Sequence, residues 1–443
     1  MDKFIIQGGR PLSGEITVNG SKNASLPMMA AALLADGPLV LRDVPLLQDI
    51  DTMGRILQNL GVDLQRRGGR DLHLRVRDDK PYTAPYDLVS TMRASVCVLG
   101  PLLARRGRAR VSLPGGCVIG VRPIDIHLRG LEALGARVRV EHGFVVAEAR
   151  RLRGADIYLG GPFGSSVTGT ANILMAAALA DGRSTIENAA CEPEVQELAH
   201  LLNRMGADIA GIGSPRLEIR GVRRLNGATL RVIPDRIEAG TFLAAGALHG
   251  GDVVVKNVKA EHLGSVLYTL RAMGVDLDIG ALTIRARGPE RLRPVDIVSL
   301  PYPGFPTDMQ AQLLTLLTLA DGISVVTEKI YPDRFMHVSE LARMGAQIRK
   351  EGPCAIVSGV PALSGAPVMA SDLRASAALV LAGLAAKGET EITRIYHIDR
   401  GYESVEKRLQ SVGARIERVV DKHLIVKAPE NSWIPQASAE AKG

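Results

Sequence analysis

Hydrophobic and polar positions repeat along this chain with a long period. A leucine, two variable residues, a second apolar residue and a glycine recur, followed each time by alternating strand positions. The six copies are LQNLGVDL at 57–64, LEALGARV at 131–138, LNRMGADI at 202–209, LRAMGVDL at 270–277, LARMGAQI at 341–348 and LQSVGARI at 409–416. The glycines lie about 70 residues apart, and each is typical of a helix C-cap before a strand.

A second pattern precedes each of these copies by about 25 residues. It is a helix rich in alanine and leucine that a glycine closes, followed by a strand of alternating polarity. The closing glycines are Gly37, Gly107, Gly182, Gly250, Gly322 and Gly388. Each unit is therefore predicted to run strand, helix, strand, helix, strand, strand.

A unit of this size cannot bury both faces of its helices alone, so we expect the six units to pack as two sets of three. The length of 443 residues also suits two domains of roughly 200 residues each. The first predicted domain is 22–232. The second is 1–21 with 233–443, in which the chain start supplies a strand at 4–6 and the tail after about 428 is extended or disordered. The predicted fold class is α/β.

Unusual polar residues occupy equivalent positions at the start of each first helix. They lie fourteen residues before the closing glycines and are Asn23, Arg93, Thr168, Arg236, Asp308 and Arg374. Helix N-termini attract anions, and a cation there opposes the helix dipole at a cost of about 0.3–1 kcal/mol. Lys22, Arg93 and Arg374 are therefore the strongest candidates for binding an anion.

Simpler structural roles are open for the other members of this set. Asn23 could be a helix cap, and Asp308 could be a favourable acidic residue in a first helical turn. Arg236, beside Asp235, is expected to form a structural ion pair. Thr168 lies in a segment of small hydroxyl residues that could hold a phosphate or merely cap the helix.

The cysteines show no Cys-x-x-Cys spacing, so neither a zinc site nor a disulfide framework is expected. They are Cys97, Cys117, Cys191 and Cys354. Cys117 lies between glycines in the segment PGGCVIGVRP at 114–123, close to Arg122, which favours a reactive thiol. Cys97 lies in an apolar run and is expected in the core.

Composition limits the classes of ligand and the cellular location that can be expected. A net charge of +7 suits anionic partners, but aromatic residues make up only 3% of the chain, which disfavours single-stranded nucleic acid. Small anions are the better expectation. The start of the chain shows no signal-peptide pattern, and the apolar stretch at 375–386 is shorter than the roughly 18 residues of a membrane span. A cytoplasmic protein without membrane insertion is expected.

The chain resembles the enolpyruvyl transferase family along nearly its whole length, and within it the carboxyvinyltransferases that act on UDP-N-acetylglucosamine. The matching motifs are GSKNA at 20–24, PGGCVIG at 114–120, RPIDIH at 122–127, FPTDMQAQ at 305–312, RFMHV at 334–338, SDLRAS at 371–376 and YHIDRGY at 396–402. The resemblance implies an EPSP synthase-like fold of two inside-out α/β barrel domains that close over a cleft. It implies no metal or organic cofactor.

The resemblance also implies roles for individual residues. Those expected at phosphoenolpyruvate are Lys22, Arg93, Arg122 and Arg400. Those expected at the UDP-sugar are Asn23, Arg122, Pro123, Ile124, Asp125, Ile126, Ser165, Ser166, Val167, Asp308 and Ile330, with Arg334, Asp372 and Arg374 also at the substrates. Lys22, Arg400, Asp308 and Cys117 are the expected catalytic residues, with Asp308 as general base and Cys117 as the acid that protonates the methylene carbon.

Two other functions stay open from the sequence. One is the sister reaction on shikimate 3-phosphate, which uses the same fold and donor. The other is a non-catalytic, basic repeat protein that binds RNA.

Overall fold

The computed structural model describes residues 2–113 and 124–420. Cys117, Arg122, Pro123 and the tail predicted after about 428 lie outside the described residues. The strands are β1 (Asp2–Gln7), β2 (Ser13–Thr17), β3 (Leu39–Arg42), β4 (Val62–Arg67), β5 (Asp71–Val76), β6 (Thr83–Ala84), β7 (Arg108–Ser112), β8 (Arg137–Glu141), β9 (Phe144–Glu148), β10 (Asp156–Tyr158), β11 (Gly160–Gly161), β12 (Gly164–Ser165), β13 (Arg183–Glu187), β14 (Asp208–Ala210), β15 (Arg216–Arg220), β16 (Thr229–Arg231), β17 (Asp252–Lys256), β18 (Asp276–Ile279), β19 (Thr283–Arg287), β20 (Ile297–Ser299), β21 (Ile323–Glu328), β22 (Gln347–Glu351), β23 (Cys354–Ser358), β24 (Pro367–Met369), β25 (Glu389–Thr393) and β26 (Arg415–Val420).

Helices alternate with these strands. The α-helices are α1 (Lys22–Ala30), α2 (Gln48–Asn59), α3 (Tyr86–Val89), α4 (Leu99–Arg106), α5 (Asp125–Ala133), α6 (Val167–Ala177), α7 (Pro193–Arg204), α8 (Arg236–Gly246), α9 (Gly264–Ala272), α10 (Gln310–Leu317), α11 (His337–Arg343), α12 (Leu373–Ala385) and α13 (Val405–Gln410). Short 3-10 helices occupy Ala31–Leu34, Arg93–Val98, Ala260–Leu263, Thr307–Met309 and Ile395–Arg400.

The four-stranded sheets share one topology. In each, an edge strand runs parallel to the second strand, which pairs antiparallel with the third, and the third pairs antiparallel with the fourth. The sheets in this order are β16-β3-β5-β4, β6-β7-β9-β8, β10-β13-β15-β14, β2-β17-β19-β18, β20-β21-β23-β22 and β24-β25-β1-β26. The α/β fold class is confirmed. The predicted order of elements is found with two differences: the third unit adds the β11-β12 pair before α6, and in the sixth β26 is the one described strand after α13, with β1 as the other strand of that sheet.

Three of these sheets are completed by strands from distant parts of the chain. β2 pairs with β17, with Glu15 opposite Val254. β16 pairs with β3, so the end of the third unit completes the sheet of the first. β1 pairs with β25 and β26, with Phe4 opposite Ile392 and Arg418. The chain start is therefore held in the sheet of the sixth unit.

The buried hydrophobic residues form two clusters. One draws its members from 24–233 and includes Met29 and Leu174. The other combines members from 4–18 with members from 237–416, including Phe242 and Leu314. The chain passes from one cluster to the other at two segments that meet, since Gly20 and Pro234 form a β-bridge.

The repeated glycine after the second helix has the backbone conformation that the sequence predicts. Its φ lies between +83° and +106° at all six positions, the left-handed region that disfavours any residue with a Cβ atom. In the part of the chain that the structure describes, no helix is both long and apolar enough to cross a bilayer.

Gly135→Ala should lower the free energy of unfolding by about 1 kcal/mol, because φ is +89° there. The added methyl group meets no atom of the described residues within 4 Å, so the effect isolates backbone strain. Gly264→Ala is the matched control: it also meets nothing within 4 Å, but Gly264 begins α9 with φ at −44°. Urea titration should show a lower midpoint for the first variant only, and equal midpoints would contradict this account.

Candidate functional site

A cleft of about 830 Å³ receives residues from both halves of the chain. All six of the equivalent polar residues at the first-helix starts line it: Asn23, Arg93, Thr168, Arg236, Asp308 and Arg374. Each lies within the first residues of a helical segment, although 3-10 turns open the helices at Arg93 and Asp308. The repeat therefore directs six equivalent helix starts to one place.

Most of the other predicted site residues also line this cleft. They are Lys22, Asp125, Ile126, Ser165, Ser166, Val167, Ile330, Arg334, Asp372 and Arg400. Ile124 is buried and is not among the described residues that line it. Cys117, Arg122 and Pro123 lie outside the described residues.

Asp49 joins two predicted cations from opposite halves of the chain. Lys22 Nζ donates to Asp49 Oδ2 at 3.1 Å, and Arg400 Nε donates to Asp49 Oδ1 at 2.9 Å. Burial by itself would raise the pKa of Asp49, but Lys22 and Arg400 outweigh it and hold that pKa below its ordinary value. An ionised carboxylate thus fixes both cations at one side of the cleft.

A second carboxylate, Asp308, also lies between two cations. Arg334 Nη1 donates to Asp308 Oδ1 at 2.8 Å, and Arg374 Nη2 donates to Asp308 Oδ2 at 2.7 Å. Burial opposes ionisation of Asp308, but the charges of Arg374 and Arg334 hold its pKa well below the ordinary value. Asp308 therefore stays ionised through the neutral range.

Protein carboxylates neutralise two of the arginines at helix starts. Arg374 has Asp308, while Arg236 forms a bidentate ion pair with Glu194 at 2.9 and 3.3 Å. The predicted ion pair of Arg236 is confirmed, with Glu194 as the partner. Asp235 instead caps α8, accepting from the N–H groups of Ile237 and Glu238. The unfavourable interaction between a cation and the dipole of the helix that it begins is thus offset by an ion pair within the protein.

Two predicted substrate contacts double as helix caps. Ser166 caps α6, since its hydroxyl accepts from Gly169 N at 3.1 Å. Asp372 caps α12, accepting from the N–H groups of Arg374 and Ala375 at 2.8 and 3.1 Å. Both residues also line the cleft, so their caps fix the backbone there.

Thr168 contacts a neutral histidine. Its hydroxyl lies 3.3 Å from His127 Nε2, and His127 Nδ1 lies 2.9 Å from the amide nitrogen of Asn172. Burial, reinforced by Arg93, lowers the pKa of His127 to about 3, so the ring is uncharged at neutral pH. The cap at this helix is Ser166, which leaves the Thr168 hydroxyl facing the cleft and His127.

Cys97 is buried, as predicted, although it also touches the cleft. Burial raises the pKa of its thiol to about 12 and keeps it protonated at neutral pH. Among the described residues, no group of three or more His, Cys, Asp or Glu side chains could hold a metal ion.

Sequence reasoning missed several carboxylates at the cleft. Asp49 lies in the first turn of α2, where an acidic residue is ordinary for a helix start. Glu192 and Glu194 flank Pro193 at the start of α7, and burial raises the pKa of Glu192 above its ordinary value. The Glu-Pro-Glu triplet is a recognisable signal for a helix start, but the contact of Glu194 with Arg236 depends on packing between units.

Comparison with known proteins agrees with this architecture. The family model for EPSP synthase (3-phosphoshikimate 1-carboxyvinyltransferase) matches residues 6–409. The chain is 52% identical over 419 residues to a UDP-N-acetylglucosamine 1-carboxyvinyltransferase from Desulfosudis oleivorans, covering 95% of this chain and 100% of that protein. It is 55% identical over 422 residues to the protein of the same name from Anaeromyxobacter sp. (strain Fw109-5), covering 94% and 99%.

Solved structures show the same fold. The enolpyruvyl transferase NikO from Streptomyces tendae superposes with a TM-score of 0.86 at 27% identity, covering 94% of this chain and 99% of that one. EPSP synthase from Acinetobacter baumannii gives a TM-score of 0.74 at 19% identity, covering 95% and 100%. The predicted EPSP synthase-like fold is confirmed. The chain therefore belongs to the EPSP synthase family of enolpyruvyl transferases, and within it to the UDP-N-acetylglucosamine 1-carboxyvinyltransferases.

Proposed function

We propose that this protein transfers the enolpyruvyl group of phosphoenolpyruvate to the 3-hydroxyl of UDP-N-acetylglucosamine and releases phosphate. This is the first committed step of peptidoglycan biosynthesis, and we place it in the cytoplasm. The main support is the cleft itself, where Lys22 and Arg400 converge on Asp49 and two arginines converge on Asp308. Relatives 52% and 55% identical carry the name of this reaction.

We propose that residues 22–232 form one domain and residues 1–21 with 233–443 the other, and that the two close over the substrates. Ion pairs across the cleft support this arrangement. Asp49 of the first part binds Arg400 of the second, and Glu194 of the first binds Arg236 of the second. Closure of this kind assembles a site and excludes water.

Phosphoenolpyruvate carries a carboxylate and a phosphate, so its site needs several cations. Lys22, Arg93, Arg122 and Arg400 are proposed to supply them. Arginine suits both groups because its planar fork can pair bidentately with either. Asp49 brings Lys22 and Arg400 together from opposite halves, which supports their acting on one anion.

The UDP-sugar is proposed to lie along the start of α6. Residues Ser165, Ser166 and Val167 line the cleft there, and helix N-termini favour phosphate groups. Asn23, Ile330 and the stretch from Arg122 to Ile126 are proposed as its further contacts.

In the proposed reaction, the sugar 3-hydroxyl oxygen bonds to the central carbon of phosphoenolpyruvate and passes its proton to Asp308. Cys117 delivers a proton to the methylene carbon, which becomes a methyl group. The tetrahedral adduct then loses a proton from that methyl group and expels phosphate, so the double bond forms again.

Asp308 is a weak base because two arginines hold its pKa down. It can still accept this proton, since the hydroxyl becomes strongly acidic as its oxygen bonds to carbon. The ion pairs therefore keep Asp308 in the form that accepts a proton while delaying transfer until the new bond develops.

Phosphate release from phosphoenolpyruvate should depend on UDP-N-acetylglucosamine and should be absent with shikimate 3-phosphate. Steady-state release of inorganic phosphate with each acceptor tests this directly. Turnover with shikimate 3-phosphate would favour the sister reaction. Tight, salt-dependent RNA binding without any phosphate release would instead favour the non-catalytic basic protein.

Asp308→Asn should lower turnover by about 10²-fold or more while leaving substrate binding nearly intact, the usual scale for a lost acid–base group. Asp321→Asn is the control, since Asp321 is exposed and pairs only with Arg291 among the ion pairs of the described residues. Turnover near that of the wild type in Asp308→Asn would reduce Asp308 to a structural partner of its arginines.

Lys22→Ala and Arg400→Ala should each weaken phosphoenolpyruvate binding by roughly 1.5–3 kcal/mol, because each removes a charge-assisted contact. Isothermal titration measures the change, with Arg77→Ala, an exposed arginine paired with Asp63, as the control. A fall in UDP-sugar affinity alone, with phosphoenolpyruvate binding unchanged, would reject the assignment.

A further inference from the structure

A fully buried carboxylate, Glu328, lies behind the Asp308 site. It ends β21 and has no exposed surface. Its Oε1 accepts from the N–H groups of Ile330 and Tyr331 at 2.8 and 3.0 Å, and its Oε2 accepts from the Thr307 hydroxyl at 2.9 Å. Ile330, Tyr331 and Thr307 line the cleft, whereas Glu328 does not. One buried side chain thus holds two separate parts of the cleft wall.

The Thr307 hydroxyl links Glu328 to Arg334. Because it donates its proton to Glu328, its oxygen faces Arg334 as an acceptor, 3.0 Å from Nη1. The same Nη1 donates to Asp308 Oδ1 at 2.8 Å. Among the described residues, Arg334 Nε is buried and has no hydrogen-bond partner, so the guanidinium is oriented through its Nη1 bonds.

We infer that Glu328 and Thr307 are positioning residues that hold Arg334 against Asp308. Glu328 also fixes the turn at Ile330 and Tyr331. It therefore influences both the position of the general base, Asp308, and the part of the cleft wall where the UDP-sugar is proposed to bind. This inference rests on the proposed function, in which Asp308 accepts the proton of the sugar hydroxyl.

The consequence is measurable as a pH dependence. The charged or titratable groups that act on Asp308 and Arg334 in the described residues are Arg374, Arg236, Asp372 and His337. When Thr307 no longer holds Arg334 in place, one of the two cations that keep the pKa of Asp308 low acts on it less strongly, so that pKa rises toward its ordinary value. Activity that needs ionised Asp308 is then lost at a higher pH as the solution is acidified.

The test compares Thr307→Val with the conservative variant Thr307→Ser. Valine has the same shape but removes the hydroxyl that joins Glu328 to Arg334. Because the pKa of Asp308 rises only toward its ordinary value of about 3.9, we expect the kcat/KM of Thr307→Val for UDP-N-acetylglucosamine, relative to wild type, to fall about twofold further at pH 4 than at pH 8. Thr307→Ser should restore the wild-type profile.

The pH profile of Glu328→Gln provides the same test at a residue that does not line the cleft. The amide oxygen of the glutamine can still accept from the N–H groups of Ile330 and Tyr331. The second carboxylate oxygen, which accepts the hydrogen bond from the Thr307 hydroxyl, is lost, so the pH profile of this variant should shift in the same direction. Thr327→Val is the control on the same strand, because its hydroxyl contacts Cys354 instead, and it should leave the profile unchanged. Thermal melting of each variant reports its folding, and Glu328→Gln decides the question if Thr307→Val does not fold.

A loss of activity that is equal at both pH values, or no loss in Thr307→Val and Glu328→Gln, would overturn the inference and leave the two residues a structural role only. Failure of the proposed function gives a different result, since the wild-type protein would then release no phosphate with UDP-N-acetylglucosamine at any pH.

Discussion

The cleft depends on the pairing of buried and half-buried cations with carboxylates from other parts of the chain. Lys22 and Arg400 share Asp49, Arg334 and Arg374 share Asp308, and Arg236 binds Glu194. Removing one partner of such a buried pair is strongly destabilising, about 3–5 kcal/mol, because the other charge is left uncompensated. Each of these cations can therefore line the cleft only where the fold also supplies its carboxylate.

The repeat explains how so many charged groups reach one place. Each unit starts its first helix with a polar residue, and six such starts line the same cleft. One paired carboxylate, Asp308, is itself such a start, whereas the other two come from elsewhere: Asp49 and Glu194 lie in the first turns of α2 and α7, the second helices of their units. Packing of one unit against another thus turns unfavourable helix-start cations into neutralised pairs.

The sequence was sufficient for features that depend on local patterns. The six units, the left-handed glycines and the polar helix starts each follow from periodicity or from backbone preference. Features that depend on packing between units were not predictable in the same way. Asp49 looks like any acidic residue in a first turn, and Glu328 looks like the end of an alternating strand, until the neighbouring units place Arg400 or Thr307 beside them.

Asp49 also limits the charge that Lys22 and Arg400 present to a substrate. Their two positive charges share one negative charge, so the trio carries a single surplus positive charge. The carboxylate competes with the substrate for the two cations, yet it stabilises them in a low-dielectric site in advance of binding. In the proposed function, Asp49 therefore weakens electrostatic attraction to the anion while fixing the geometry that the anion meets, and the second effect is the one that the proposed domain closure requires.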